Sequence, residues 1–228
     1  MTALAGRRQV LLALTCPPLA ANAAPPRPAV GTAPPLVAAA EAGDLSTLHR
    51  LLEAGAALEA RDERGRTALM AATHADQPAA ARLLIERGAD VNARDAIQDT
   101  PYLFAGSRGR LAILRLALAA GADLRSTNRF GSTPLMAAAY RGHVDNVREL
   151  LRAGVAVNHV NRLGWTALTE AIALGDGSPA HVEIVGLLLA AGADPQIPDA
   201  QGLSALALAE RRGQAAVAAR LRQAGARR

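Results

Sequence analysis

The five histidines are the first residues of this sequence to consider as metal ligands or catalytic groups. His143 and His181 occupy equivalent positions in two successive repeats, but no Asp, Glu or Cys is placed to complete a three-ligand metal site with them. His49, His74 and His159 fall at three different repeat positions and form no constellation. The spacing therefore predicts structural roles for the histidines, and it indicates no metal and no cofactor.

Catalysis by other side chains has little support in the sequence. Ser107 has no histidine and acid at a repeat-consistent distance, so a Ser-His-Asp arrangement is not indicated. Glu170 stands where the repeat has apolar residues, and two interpretations are open: a catalytic acid, or a polar residue that faces a groove with its stem packed. The second is favoured. The repeated glycines all have cap or turn positions, so no phosphate loop is predicted and the protein is not expected to be an enzyme.

The composition limits the class of partner. All 25 basic residues are arginine, and they are interleaved with 20 acidic residues in a chain of net charge +5. A nucleic-acid interface needs clustered positive charge, so none is predicted. Half of the residues are hydrophobic but only five are aromatic, which favours a core made of many small contacts between helices.

Residues 1–23 have the three parts of an export signal. Arg7 and Arg8 precede a short apolar run at residues 10–14, and the small residues Ala21 and Ala23 suit cleavage after Ala23. The arginine pair is typical of a twin-arginine signal, although it also occurs in general secretory signals, and both routes stay open. The sequence predicts an exported, periplasmic protein with no membrane insertion after signal removal.

The only cysteine, Cys16, lies inside the predicted signal. Acylation there, as in a lipoprotein, is the less favoured alternative, since Thr15 and Pro17 flank the cysteine and no leucine stands three residues before it. Cleavage leaves a mature chain without thiols, which fits an oxidising compartment. Residues 24–33, which read APPRPAVGTA, are predicted to be a stiff, extended tether.

After the tether the sequence repeats itself with a period of 33 residues, interrupted by one interval of 38. The extra residues of that interval are 176–180. Self-similarity of this length indicates a solenoid, in which no unit buries its apolar face alone and each stacks on the next. The repeating positions are Asp62, Asp95, Asn128, Asn161 and Asp199; Thr67, Thr100, Thr133, Thr166 and Ser204; and Gly55, Gly88, Gly121, Gly154, Gly192 and Gly225.

One unit contains the signals for two helices. Thr133 is predicted to be the N-cap of a helix over residues 135–140, with Pro134 at a position where a missing N–H costs nothing. A second helix is predicted over residues 144–152, and Gly154 suits a left-handed C-cap. An extended hairpin over residues 155–164 then leads to the next unit.

These residues carry a resemblance. The stretch GSTPLMAAAYRGHVDNVRELLRAGVAVN at residues 131–158, repeated with variations at 62–93, resembles an ankyrin repeat. The resemblance implies an all-α ankyrin-repeat solenoid of helix-turn-helix units joined by β-hairpin loops, covering residues 34–228. The six units expected are about 34–61, 62–94, 95–127, 128–160, 161–198 and 199–228. Departures from the family pattern are Gln98 in place of glycine, and Met70, Leu103, Met136 and Thr169 in place of histidine.

In ankyrin proteins the loop tips and the ends of the first helices line a concave surface that binds partner proteins. The resemblance therefore implies a protein-binding module, expected to be a monomer. Most of the few aromatic residues fall at these positions, together with arginines, and both types are enriched at interface centres. The predicted binding residues are Phe104, Arg108, Arg129, Phe130, Tyr140, Arg141, Arg162, Leu163 and Trp165.

Two alternatives accompany this prediction. Trp165, directly before the repeated threonine, is also placed to cover its neighbour's hairpin without touching a partner. At the level of function, the alternative is a protective or immunity factor for a co-exported or periplasmic enzyme.

Tyr102 stands where other units have leucine and is predicted to be core.

Overall fold

The computed structural model describes residues 33–227. The predicted signal peptide, residues 1–23, and the tether up to residue 32 lie outside the described residues, so both stay predictions. Within residues 33–227 the chain forms helices and turns and no strand, and none of these helices has the length and apolar character needed to cross a bilayer.

Twelve helices follow one another in consecutive pairs along the described residues. The first helices of successive pairs pack against one another along the solenoid, and so do the second helices. Their bounds are α1 (Pro35–Ala42), α2 (Leu45–Glu53), α3 (Ala68–His74), α4 (Pro78–Glu86), α5 (Pro101–Ser107), α6 (Leu111–Ala119), α7 (Pro134–Tyr140), α8 (Val144–Arg152), α9 (Ala167–Ala173), α10 (Pro179–Ala190), α11 (Ala205–Arg211) and α12 (Ala215–Gln223).

The repeated hydroxyl residues begin the first helices of most pairs. The side chains of Thr67, Thr100, Thr166 and Ser204 each accept a hydrogen bond from the backbone N–H three residues on, at 3.1–3.3 Å. Thr133 is the exception. It stands at the N-cap position of α7, as predicted, but its hydroxyl makes no cap hydrogen bond and is buried without a hydrogen-bond partner among residues 33–227.

The second helices end at left-handed glycines. Gly154, just after α8, has φ +86°, its N–H donates to Leu151 O at 3.0 Å, and the N–H of Val155 donates to Leu150 O at 3.1 Å. The left-handed conformation predicted for Gly154 is confirmed. The chain can then turn back toward the next loop with the last carbonyls of α8 satisfied.

Alanine and leucine fill the core between the helix pairs. Ala138 and Ala139 on α7 and Leu150 on α8 are fully buried, and small side chains on the first helices let successive pairs approach closely. Tyr102 is also fully buried, as predicted, and burial raises the pKa of its phenol well above the ordinary value of 10.

The connections between units are hydrogen-bonded hairpin turns without strands. In each, the N–H of the repeated Asp or Asn donates to the carbonyl four residues on, as from Asn128 to Ser132 O at 3.0 Å. The third residue after the Asp or Asn is glycine in four of the five turns, but Gln98 holds that position in the other, with φ +69°. The all-α solenoid is confirmed, and its loops are turns rather than paired strands.

Candidate functional site

The loop tips at residues 128–132 and 161–165 are each held by the Asn that opens the turn. Asn128 Oδ1 accepts from the N–H groups of Phe130 at 2.9 Å and Ser132 at 3.1 Å. Asn161 Oδ1 does the same for Leu163 at 2.9 Å and Trp165 at 3.1 Å. One side chain thereby holds both ends of each tip, which explains how exposed residues keep a defined position on short loops.

Neighbouring tips are also joined to each other. The Arg162 N–H donates to Phe130 O at 3.1 Å, and its guanidinium donates to Arg129 O at 3.0 Å. The aliphatic part of Arg162 lies over Gly131, where an added Cβ would stand 3.1 Å from Cγ of Arg162. Arg162, a predicted binding residue, joins the two loops and does not line the pocket described next, so its binding role stays a prediction.

A pocket of about 340 Å³ lies between the loop tips and the ends of α5, α7 and α9. Its exposed apolar walls include Phe130, 48% exposed, and Leu163, 52% exposed, with Trp165 half-buried beside them. Seven of the nine predicted binding residues line it: Arg108, Arg129, Phe130, Tyr140, Arg141, Leu163 and Trp165. Side chains that different units contribute thus form one concave surface.

Arginines lie over the aromatic rings at the rim. Arg129 Cζ is 4.8 Å from the centre of the Phe130 ring, and Arg141 Cζ is 4.8 Å from that of Tyr140. Cation–π contact at these distances orders both partners without neutralising the charge. Within the described residues, neither these two guanidiniums nor that of Arg108 forms an ion pair with an acid, so the rim keeps its positive charge.

Phe104 is the second predicted binding residue that does not line the pocket. Its ring stacks on His74 of the preceding unit at 3.7 Å between centroids and 18° between planes, with Arg108 Cζ 5.4 Å from the ring centre. Burial, together with the nearby charges of Arg66 and Arg108, lowers the pKa of His74. The lowered pKa favours the uncharged imidazole, which stacks on Phe104 outside the pocket.

The floor of the pocket holds a carboxyl group. Glu170, on α9, is 4% exposed, and its Oε1 accepts from Asn161 Nδ2 at 2.8 Å and from Ser132 Oγ at 3.3 Å. Asn161 Nδ2 also donates to Ser132 Oγ at 2.9 Å, so the three polar groups form one network. Burial raises the pKa of Glu170 from 4.5 to about 7, and the two hydrogen bonds only partly oppose the shift.

The family follows from the sequence match. Residues 11–95 and 102–199 match the family model described as "Ankyrin repeats (3 copies)". The chain belongs to the ankyrin-repeat family. Such repeats generally serve as protein–protein interaction modules and are typically non-catalytic.

Solved ankyrin structures agree with this assignment. An ankyrin repeat domain from Acinetobacter baumannii AYE is 53% identical, with a TM-score of 0.82 over 85% of this chain and 98% of that one. The ankyrin repeat protein EF0377 is 36% identical with a TM-score of 0.80 over 85% and 98%. The ankyrin repeat domain of Bcl-3, a member of the IkappaB family, is 29% identical with a TM-score of 0.76 over 85% and 86%. No curated protein matches the sequence.

The ankyrin histidine position has a structural use in this chain. His181 is buried, its Nε2 lies 2.9 Å from Tyr140 O, and its Nδ1 lies 2.7 Å from Asp176 and 3.0 Å from Ser178. Asp176 and Ser178 belong to the insertion 176–180. The predicted structural role is confirmed, and the inserted residues are tied through His181 to the helix end that carries Tyr140.

Sequence reasoning missed how two groove positions are used. Arg66 stands at a loop position that varies between ankyrin units, yet it is buried, with Asp62 at 2.7 Å and Glu41 at 3.0 Å from its guanidinium. Ser132 is likewise buried beneath the neighbouring tip. In both cases one contact is to a residue more than 20 positions away, Glu41 for Arg66 and Glu170 for Ser132, and local spacing does not reveal such contacts.

Proposed function

We propose that this ankyrin protein is a non-enzymatic monomer that binds a partner protein through the pocket between the loop tips of residues 128–132 and 161–165. The observation that carries the proposal is the combination of exposed Phe130 and Leu163 with rim arginines that have no acid partner in the described part of the chain. Aromatic and arginine side chains in a desolvated concave site are the usual centres of binding energy. The site is therefore built for a macromolecular surface.

The charge of the rim selects the kind of partner. Arg108, Arg129 and Arg141 line the pocket against two acids, Asp99 and Glu170, so positive charge prevails around apolar walls. An acidic segment with apolar side chains satisfies both features. Burial and the neighbouring Asp95 raise the pKa of Asp99.

We further propose that the protein acts in the periplasm. The support is the arginine pair, the apolar run and the small-residue cleavage pattern in residues 1–23. A thiol-free mature chain suits the oxidising conditions of that compartment. The partner is accordingly sought among envelope proteins.

Two side-chain truncations test the site. Trp165→Ala and Tyr140→Ala should each weaken partner binding by about 2 kcal/mol or more, roughly 30-fold in Kd. Both variants keep the backbone hydrogen bonds in which residues 165 and 140 take part, to Asn161 and His181, so the loss reports on the side chains. Arg141→Ala should in addition make binding less sensitive to salt.

The assay is quantitative capture of partners from an envelope extract, followed by Kd measurement with the purified partner. Leu45→Ala is the matched control, because Leu45 is an exposed apolar residue on α2 outside the pocket. Melting temperatures of all variants establish that they are folded. Folded Trp165→Ala and Tyr140→Ala variants that bind as tightly as Leu45→Ala would refute the proposed site.

A further inference from the structure

Glu170 is the one ionisable residue at its position in the repeat. The equivalent residues of the other units are Ala38, Ala71, Phe104, Ala137 and Leu208, none of which carries a charge. A carboxyl at this position therefore has no role in the stacking common to all units. It lines the pocket directly beneath the tips that carry Phe130 and Trp165.

The surroundings of Glu170 favour its uncharged form. Both of its hydrogen-bond donors, Asn161 and Ser132, are neutral, and no cation pairs with it among the described residues. A buried carboxylate without a cation is costly, whereas a carboxylic acid is not. Burial correspondingly raises its pKa to about 7, so both forms are populated near neutral pH.

The other charged and titratable groups of the pocket determine its net charge before and after Glu170 is protonated. They are Asp99, Arg108, Arg129, Tyr140 and Arg141. Helices α10 and α11 also pack on α9, but among their described residues no charged side chain lines the pocket. With both acids ionised the pocket has a net charge of +1, and protonation of Glu170 raises it to +2. Protonation also gives Glu170 one O–H donor, while its Oε1 can continue to accept from Asn161 and Ser132.

We propose that the Glu170 carboxyl couples recognition of an acidic partner segment to proton uptake: the groove binds the segment with Glu170 protonated, and ionisation of Glu170 weakens the complex. The inference rests on the proposed function, since it concerns the same pocket. An anionic occupant is favoured over a cationic one because a cation would have to pass the three rim arginines to reach the floor.

The coupling has a definite sign. An acidic segment places negative charge near Glu170 and displaces water from the floor, and both effects favour the protonated form in the complex. For each unit by which binding raises the pKa of Glu170, affinity at low pH exceeds affinity at high pH tenfold, and the proton comes from solvent. A cationic segment would give the opposite dependence.

The test uses two synthetic octapeptides, one alternating Asp and Leu and one alternating Arg and Leu. Their Kd values for the protein are measured between pH 5.5 and 8.5, a range in which the peptide side chains hold constant charge. Calorimetry at pH 7.5 in buffers of different ionisation enthalpy counts the protons taken up. One variant is Glu170→Gln, a neutral isostere of the protonated acid. The other is Asp99→Asn, which measures how much of the pH dependence of binding is due to Asp99.

We expect the acidic peptide to bind about tenfold more tightly at pH 5.5 than at 8.5. Glu170→Gln should hold the tighter affinity across the range and abolish proton uptake, while Asp99→Asn should retain most of the dependence. No binding of the acidic peptide at any pH, preferential binding of the Arg peptide, or an unchanged pH dependence in Glu170→Gln would each overturn the inference. Trp165→Ala separates the two proposals. If Trp165→Ala weakens peptide binding but Glu170→Gln leaves the affinity and its pH dependence unchanged, the binding site is supported and the coupling to Glu170 is refuted.

Discussion

Two glycines in neighbouring units should respond to alanine for opposite physical reasons. Gly154 has φ +86°, and an added Cβ would meet no atom of the described residues within 4 Å, so only backbone conformation opposes a side chain there. The left-handed conformation costs an alanine about 1–2 kcal/mol, while loss of glycine's freedom in the unfolded chain returns roughly 0.4–1 kcal/mol. Gly154→Ala should therefore lower the free energy of unfolding by about 1 kcal/mol.

Gly175 shows the reverse situation. Its φ is not in the left-handed region, but a Cβ would stand 2.2 Å from Ala171 O and 2.3 Å from Cδ2 of His181. The carbonyl cannot yield without disturbing α9, and the ring is held at both nitrogens. Overpacking of this kind costs about 1–3 kcal/mol, so Gly175→Ala should be at least as damaging as Gly154→Ala.

Urea denaturation followed by circular dichroism and by fluorescence of the single tryptophan, Trp165, measures both changes. At position 154, asparagine should cost less than alanine and valine should cost more, because asparagine tolerates the left-handed region and β-branched residues do not. At position 175 the cost should follow side-chain volume instead. Equal costs for asparagine and valine at position 154, or a harmless Gly175→Ala, would refute the reasoning.

The remaining predictions concern other parts of the chain. Glu170 has a folded-state pKa raised to about 7 from 4.5, so its ionisation should remove about 3 kcal/mol of stability as pH rises from below 4.5 through 7. Glu170→Gln should abolish this dependence in denaturation curves at pH 5 and 8. Gln98→Gly should raise the free energy of unfolding by up to about 1 kcal/mol, since φ +69° strains glutamine; a lower midpoint in urea would contradict this. N-terminal sequencing of the exported protein should begin after Ala23, and Arg7→Lys with Arg8→Lys should abolish export only on the twin-arginine route.

Much of the fold could be predicted because its determinants are local. A hydroxyl residue before a helix and a glycine after one act within a single turn, and their recurrence every 33 residues shows that one unit is repeated. The same reasoning located Gln98 as the turn residue that departs from glycine. It did not anticipate that the Thr133 hydroxyl has no hydrogen-bond partner in the described part of the chain, although the residue keeps its N-cap position.

The pocket could be predicted only in part. The resemblance to ankyrin repeats indicated which positions reach the concave side, and Phe130, Tyr140 and Trp165 do line one pocket. It does not state what a long side chain at such a position contacts. The Phe104 ring stacks on His74, and the Arg162 guanidinium donates a hydrogen bond to Arg129 O in the neighbouring loop.

The sequence by itself therefore determined the repeating unit and the helices, because each depends on residues within a few positions of one another. The resemblance to ankyrin repeats then implied the side of the solenoid on which the variable residues lie. Tertiary structure alone decided which of those residues are exposed and which are buried in contacts with a neighbouring unit. Ser132 and Glu170 are 38 residues apart and share a hydrogen bond only because two units stack. The same stacking removes Glu170 from water, and that burial, which no local pattern encodes, gives the groove floor its titratable acid.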